Sequence, residues 1–190
     1  LRSLGRARGF QVDAVAPVLT ADGEPVSSTL VRRAIVAGEL DRARSLLGRS
    51  YSVSGTVVTG DARGRLIGFP TLNVDVPDSR KLLPPDGVYA VRVEGSRGRF
   101  DGMMNLGGRP TFGDASRRIE AHLFDADGDF YGDHVDVAFV ARLRDTMRFP
   151  GPDALVAQLR LDADAARRAL TAPAEPGNVN GSTHVPPSTS

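Results

Sequence analysis

Thr71 and Asn73 lie two positions apart at the end of a glycine-rich segment, residues 64–73, with the sequence GRLIGFPTLN. In a β-strand, side chains at i and i+2 point to the same face, so a hydroxyl and an amide oxygen would stand side by side. Beside a loop that can present backbone N–H groups, these oxygens could hold a metal ion and the phosphates that it bridges. A hairpin loop followed by an edge strand would show the same local pattern.

Glu120 is a second candidate chemical group, and it lies in the alternating sequence Ile-Glu-Ala-His-Leu. In a strand, Glu120 and His122 would share one face, and the apolar residues would share the other. A positioned carboxylate can accept the proton of an alcohol. A solvent-exposed glutamate would give the same pattern, and by spacing alone this second interpretation is favoured. No second ligand lies at a usual spacing from His122, so we expect a structural role for it.

The composition indicates a soluble globular protein and excludes several classes. The 190 residues are 41% hydrophobic and 25% charged, and the formal net charge is +1, so no overall field indicates a nucleic-acid partner. The absence of cysteine excludes disulfides, thiolate zinc sites and cysteine nucleophiles. Neither a secretory signal nor an apolar run of about 18 residues is present. We expect a cytoplasmic location.

The spacing of hydrophobic residues changes along the chain and divides it into three parts, with boundaries near residues 48 and 171. Residues 1–48 are predicted to be helical, with Ser27 before a helix and Gly38 after it. A second short helix fits residues 39–47, and a short strand could occupy residues 9–15. Six alternating segments then follow, at 52–57, 71–76, 88–93, 100–106, 117–124 and 134–143.

Six short strands joined by turns, with no helices between them, predict an antiparallel barrel or sandwich. We favour a closed barrel, because closure removes the exposed edges of so short a sheet. Pro152 suits the first turn of a helix over residues 153–170 that would cover the barrel. Residues 172–190 are rich in Pro, Ser, Thr, Asn and Gly and are predicted to be disordered.

Several segments together resemble the riboflavin kinases. The glycine-rich loop and Pro70-Thr71-Leu72-Asn73 resemble the Pro-Thr-Ala-Asn signature of that family, although Leu72 stands where alanine is usual. The resemblance continues in the sequences DGVYA (86–90), NLGGRPTF (105–112), IEAHLF (119–124) and LRDTMRF (143–149). It implies a mainly β fold: a six-stranded antiparallel, Greek-key-like barrel with a C-terminal covering helix, preceded by a short helical remnant.

The resemblance also implies a reaction and a site. The reaction is ATP-dependent phosphorylation of riboflavin at its 5′-hydroxyl, giving FMN and ADP, with Mg²⁺ on Thr71 and Asn73 and with Glu120 as the catalytic base. The residues implied to bind ATP are Gly55, Arg63, Gly64, Arg65, Gly68, Pro70, Thr71, Asn73 and Asn105. Those implied to bind the flavin are Glu120, Arg144, Arg148 and Phe149.

The sequence SSTLVR at 27–32 is similar to the Ser-Ser-Thr-x-x-Arg motif that ends the adenylyltransferase module of bacterial bifunctional riboflavin kinase/FAD synthetases. A plain N-capped helix also explains this segment, and for this chain we favour that explanation. No His-x-x-His motif is present near the start of the chain, so we expect no adenylyl transfer. Residue 1 is not methionine, and we interpret residues 1–48 as a remnant of that domain and residues 49–171 as the kinase module. The adenylyltransferase domain of the parent chain would be its partner.

Two other functions remain open at this level. A barrel that holds flavin or nucleotide for regulation, without turnover, would carry much of the same site. A nucleic-acid-binding barrel would instead require a basic face with exposed aromatic residues. The near-neutral charge and the 6% aromatic content without tryptophan argue against that function.

Overall fold

The computed structural model describes residues 1–172 with the exception of residues 14, 21, 61–62, 79 and 109–116. Residues 172–190 are predicted to be disordered, and all of them except residue 172 lie outside the described residues. Five helices and six strands occur in the described part: α1 Arg2–Arg8, α2 Ser28–Ala37, α3 Leu40–Leu47, β1 Ser52–Val58, α4 Arg63–Leu66, β2 Leu72–Asp75, β3 Gly87–Gly95, β4 Gly98–Gly108, β5 Arg117–Leu123, β6 His134–Arg144 and α5 Pro152–Thr171.

The six strands close into an antiparallel barrel in the order β1-β2-β5-β4-β3-β6. Only the β3–β4 pair joins consecutive strands through a tight hairpin, in which Gly95 pairs with Gly98. The β2–β5 and β1–β6 pairs join distant parts of the chain. The predicted closed six-stranded barrel is thus confirmed, and its strand order follows a Greek-key-like path.

The alternation seen in the sequence decides which residues fill the barrel. One face of each strand is apolar and buried in the interior of the barrel. The largest buried side chains there include Tyr89, Phe139, Met104, Leu106 and Ile119. Tyr89 and Phe139 meet edge to face, with ring centroids 5.3 Å apart. Since successive strand residues alternate between faces, the residues that flank these positions are directed to the outside of the barrel.

Helix α5 covers part of that outer surface. Pro152 begins the helix, as predicted, and Ala166 and Leu170 pack against Ala90, Met103 and Phe124 on the outside of the barrel. Arg92 donates a hydrogen bond of 2.6 Å to the carbonyl of Leu170, which satisfies an acceptor in the last turn of the helix. Leu155 and Leu159, in the N-terminal half of α5, lie beside a different part of the wall, which carries Arg144.

The N-terminal part forms a small helical unit beside the barrel. Ser27 caps α2 by accepting a hydrogen bond from the Leu30 amide at 3.3 Å. Gly38 and Gly48 end α2 and α3 in the left-handed region, with φ of 76° and 69°. These predicted boundaries are confirmed.

Two local predictions need correction. The strand predicted near Gly9–Val15 is wrong, because Gly9 ends helix α1 with φ of 70° and the described residues that follow it form no strand. In the described part of the chain, this seven-residue segment has no neighbouring strand with which to pair. The glycine-rich segment is also more regular than predicted, because it contains the short helix α4.

Candidate active site

A row of polar side chains crosses the outside of the barrel. Asn73 on β2 is directly opposite Glu120 on β5, and Glu120 is directly opposite Asn105 on β4. Directly opposed residues of an antiparallel pair have Cα atoms about 4.5–5.5 Å apart and point to the same face. The row continues through Val88 on β3 to Arg144 on β6. Glu120 therefore lies between two amide side chains.

Two pockets border this row of residues and share Thr71. The smaller, about 90 Å³, is lined by Gly60, Arg65, Pro70, Thr71, Leu72, Asn73, Leu123, Ala126, Gly128, Asp129, Phe130 and Tyr131. The larger, about 510 Å³, lies between the barrel wall, the glycine-rich loop, the segment after β6 and α5. Its polar lining includes Thr71, Asn105, Glu120, His122 and Arg144. Glu120 and Thr71 thus line the same pocket.

The conformation of the glycine-rich loop explains two of its glycines. The Gly64 carbonyl accepts hydrogen bonds from the amides of Ile67 and Phe69, at 3.2 and 2.8 Å. A Cβ atom at Gly64 would lie 2.1 Å from the Phe69 carbonyl oxygen, and Gly68 has φ of 81°. Neither position accepts a side chain without strain. The loop closes on itself and delivers Pro70 and Thr71 to the start of β2.

His122 fastens this loop to the barrel. Its Nδ1 lies 2.8 Å from the Pro70 carbonyl oxygen, and because a carbonyl only accepts, Nδ1 carries the hydrogen. The imidazole also meets the rings of Phe69 and Phe124 edge to face, at centroid distances of 5.2 and 5.8 Å. The structural role predicted for His122 therefore has a definite form: it holds the residue that precedes Thr71.

Gly60 allows the Asn73 side chain to occupy its position. A Cβ atom at Gly60 would lie 1.9 Å from Nδ2 of Asn73 and 2.5 Å from its Cγ. The carboxamide is thus packed directly on the backbone of Gly60, which also lines the smaller pocket. The sequence reasoning did not assign a role to Gly60, because nothing local indicates that Asn73 will cover it.

The other end of the larger pocket is formed by a guanidinium group and an aromatic ring. Arg144 lies over Phe149, with 5.9 Å from its Cζ to the ring centroid. Nε and Nη2 of Arg144 donate to the two oxygens of Asp162, at 2.8 and 2.6 Å. Asp162, on α5, is only 3% exposed and was not predicted as a site residue.

A second group of charges borders the pocket near the start of β3. Asp86 accepts a hydrogen bond of 2.7 Å from Nε of Arg117, and Arg142 donates to the Asp86 carbonyl at 2.8 Å. The Tyr89 hydroxyl donates to the Pro85 carbonyl, and burial raises the pKa of Tyr89 above its ordinary value. These contacts hold the segment before β3 against the wall that carries Arg144.

The predicted site residues do not all reach the two pockets. The smaller pocket receives Arg65, Pro70, Thr71 and Asn73, and the larger receives Gly64, Thr71, Asn105, Glu120, Arg144 and Phe149. Gly68 and the exposed Arg148 line neither. Gly55 lies in β1, where a Cβ atom would be 2.4 Å from the Asp75 carbonyl oxygen, so close strand packing accounts for it. The Arg63 side chain and residues 109–112 of the matching segment 105–112 lie outside the described part of the chain.

The fold and the site together define a class of protein. It is a closed β-barrel with two neighbouring pockets that share Thr71, and their lining includes a carboxylate, a hydroxyl group and two amide groups. This donor set suits the transfer of a phosphoryl group to an alcohol, since it can orient a metal-bound phosphate and accept a proton.

Comparison with known proteins identifies the family. Residues 47–170 match the family Flavokinase, described as riboflavin kinase. The chain is 40% identical over 177 residues to the bifunctional riboflavin kinase/FMN adenylyltransferase of Escherichia coli K12, covering 92% of this chain and 56% of that protein. The Bacillus subtilis protein of the same name is 37% identical over 153 residues, covering 79% of this chain and 48% of that protein.

A solved structure also matches. It is described as a macrolide-efflux protein from Streptococcus pneumoniae, with a TM-score of 0.77 and 39% identity over 87% of this chain and 54% of that chain. The part of this chain that the structure describes contains no helix with the length and hydropathy of a membrane span.

The chain belongs to the riboflavin kinase family, whose reaction converts riboflavin to FMN. It spans about half the length of the curated relatives that it matches. The resemblance found in the sequence is confirmed by these matches, and the non-catalytic alternative is not favoured by them.

Proposed function

We propose that this chain transfers the γ-phosphoryl group of ATP to the 5′-hydroxyl of riboflavin at the junction of the two pockets. The observation that carries the proposal is that Thr71 lines both pockets and Glu120 lies between Asn73 and Asn105. The nucleotide phosphates enter from the smaller pocket, beside Arg65, and the flavin occupies the larger pocket. The acceptor hydroxyl then reaches the phosphorus next to Glu120.

Mg²⁺ is the cation that suits this donor set. Thr71 and Asn73 offer neutral oxygens, and Mg²⁺ keeps several waters and takes substrate phosphates as further ligands. In the described residues no group of three or more His, Cys, Asp or Glu side chains could hold a metal by itself. A cation here therefore depends on the nucleotide, which agrees with entry of metal and ATP together. When bound, the ion neutralises charge on the transferring phosphoryl group.

Glu120 removes the proton of the riboflavin hydroxyl. Its strand neighbours Ile119 and Ala121 are buried in the barrel, which fixes the backbone and directs Glu120 to the outer wall. A positioned general base contributes about 100- to 10,000-fold to rate. Arg144 and Phe149 provide flat surfaces for the flavin ring at the far end of the pocket.

The test is the formation of FMN and ADP from riboflavin and Mg-ATP, followed by chromatography. We expect the wild-type chain to turn over and Glu120→Gln to lower kcat by at least about 100-fold. Glu94→Gln is the matched control, because Glu94 is an exposed glutamate on β3 that lines neither of these pockets. Chelation of Mg²⁺ should abolish turnover, and its return should restore it. Flavin binding without turnover would instead support a regulatory barrel.

We also propose that residues 1–48 adjoin an adenylyltransferase domain in the same polypeptide. This is supported by the name of the Escherichia coli relative, of which this chain covers 56%, and by the capped helix that carries Ser27 and Ser28. Residues 1–190 alone should form no FAD from FMN and Mg-ATP. Formation of FAD by this chain without a further domain would contradict the assignment.

A further inference from the structure

Asp162 is the one buried charged residue of the described part of the chain, and the proposed reaction makes no direct use of it. The residue is 3% exposed and lies on α5, seven positions after Leu155 and three after Leu159. This i, i+4, i+7 spacing puts all three side chains on one helix face, and all three line the larger pocket. The helix thus presents two leucines and one carboxylate to the region that should receive the flavin.

The carboxylate is fully engaged with its neighbours. It accepts the two hydrogen bonds from Arg144 described above, and Oδ1 also accepts from Nε2 of Gln158 at 2.9 Å. Nη1 of Arg144 donates to the Asp145 carbonyl at 2.8 Å. All three guanidinium nitrogens therefore have a fixed partner, and the plane of the group cannot rotate without breaking at least one contact.

A contribution to folding stability does not by itself explain why Arg144 and Asp162 form a buried ion pair. Removing two charges from water is costly, and well-packed apolar residues of similar volume often replace a buried ion pair without loss of stability. The apolar neighbours Leu155 and Leu159 show that α5 already packs apolar groups in this region. A bidentate carboxylate does, however, fix the orientation of a guanidinium group better than any other side chain.

We propose that Asp162 is a positioning residue that holds the Arg144 guanidinium at the angle required to stack on the flavin ring system. The inference rests on the proposed function, because it assigns the ring of the substrate to the end of the pocket formed by Arg144 and Phe149. An Arg144 side chain without this partner would sample several rotamers. Riboflavin would then have to order the side chain when it binds, and the entropy lost would weaken the affinity.

The test is riboflavin affinity, measured without ATP by quenching of flavin fluorescence. Asp162→Asn keeps the shape of the side chain but directs an N–H at an N–H of Arg144, so the Kd for riboflavin should rise about 10-fold, or about 1.4 kcal/mol. The KM for Mg-ATP should stay within about twofold of wild type. Asp164→Asn is the matched control, because Asp164 is exposed on the same helix, and its riboflavin affinity should equal that of wild type.

A double-mutant cycle separates positioning from a general structural effect. In an Arg144→Gln background, Asp162→Asn should cause no further loss of riboflavin affinity, because the group through which it acts is gone. If Asp162→Asn lowers the melting temperature but leaves the Kd unchanged, or weakens binding equally in both backgrounds, the inference is overturned. If Asp162→Asn does not fold, Gln158→Ala is the alternative variant, because it removes one hydrogen bond of the same carboxylate. An unchanged Kd for riboflavin in Gln158→Ala would also overturn the inference.

The outcomes also distinguish this inference from the proposed function. A wild-type chain that binds riboflavin without forming FMN contradicts the proposed function and leaves the positioning test intact. A wild-type chain that forms FMN, with unchanged affinity in Asp162→Asn, overturns only the inference. A wild-type chain that binds no riboflavin overturns both.

Discussion

Replacing Gly60 by alanine should impair the use of Mg-ATP while leaving the barrel intact. The added Cβ atom would lie 1.9 Å from Nδ2 of Asn73, whereas ordinary contacts begin near 3.4 Å. The carboxamide must therefore move by about 1.5 Å. A misplacement of about 1 Å in a reacting assembly can cost about 100-fold in rate. We expect kcat/KM for Mg-ATP to fall about 100-fold, equivalent to about 2.7 kcal/mol.

The stability of this variant should change little. Gly60 is not among the glycines with positive φ, so alanine fits the backbone, and a side chain can rotate away where a backbone could not. Riboflavin affinity should also be unchanged, because Gly60 lines only the smaller pocket. The assay is initial rate of ADP formation against Mg-ATP concentration, with the melting temperature and riboflavin Kd measured on the same preparation.

Two controls sharpen the test. Gly151→Ala makes the same chemical change where a Cβ atom would have nothing within 4 Å, and its kcat/KM should match that of wild type. In an Asn73→Ala background, Gly60→Ala should have no further effect on kcat/KM, because the displaced group is absent. Wild-type kinetics for Gly60→Ala in the natural background would refute the argument that Asn73 must stay where the structure has it.

The remaining predictions concern the hydrogen bond between His122 and the glycine-rich loop, and the stability of the protein at alkaline pH. His122→Phe keeps a ring beside Phe69 but loses the hydrogen bond to the Pro70 carbonyl. The KM for Mg-ATP should therefore rise about 5- to 10-fold, in line with a hydrogen bond of about 1 kcal/mol. His122→Asn has an amide N–H that can replace that of Nδ1, so its KM should return most of the way to the wild-type value. Burial raises the pKa of Tyr89, so its neutral phenol stabilises the fold below pH ~10 and this contribution is lost as pH rises above that value. The melting temperature should therefore fall less steeply between about pH 9 and about pH 11 in Tyr89→Phe than in wild type. An identical slope would contradict the role of Tyr89.

Much of the site follows from short stretches of sequence. Alternation over five residues placed Glu120 and His122 on the polar face of a strand, and the buried Ile119 and Ala121 agree with that placement. Ser27 caps α2 through a hydrogen bond within one turn, and Pro152 begins α5 because its fixed φ suits the first helical position. Such signals are reliable because the interacting groups are only a few residues apart.

Other residues escaped sequence reasoning because their partners are distant in the chain. Nothing in the local sequence distinguishes Asp162 from the other charged residues of its helix, and only the approach of β6 gives it Arg144 as a partner. Gly60 looked like a loop glycine, and only β2 brings Asn73 over it. The resemblance implies that Gly55 binds ATP, and this stays a prediction; in the structure Gly55 packs against Asp75 in the barrel wall.

By itself, the sequence determined which segments have helical and which have strand periodicity, and on which face of a strand each candidate side chain lies. It also determined the family. These depend on local geometry and on motifs with fixed spacing. Only the tertiary structure decided that Asn73, Glu120 and Asn105 stand in one row, since this requires the register of three strands separated by up to 47 positions along the chain. Strand register is set by pairing between distant segments, and a shift by one residue would turn Glu120 into the core.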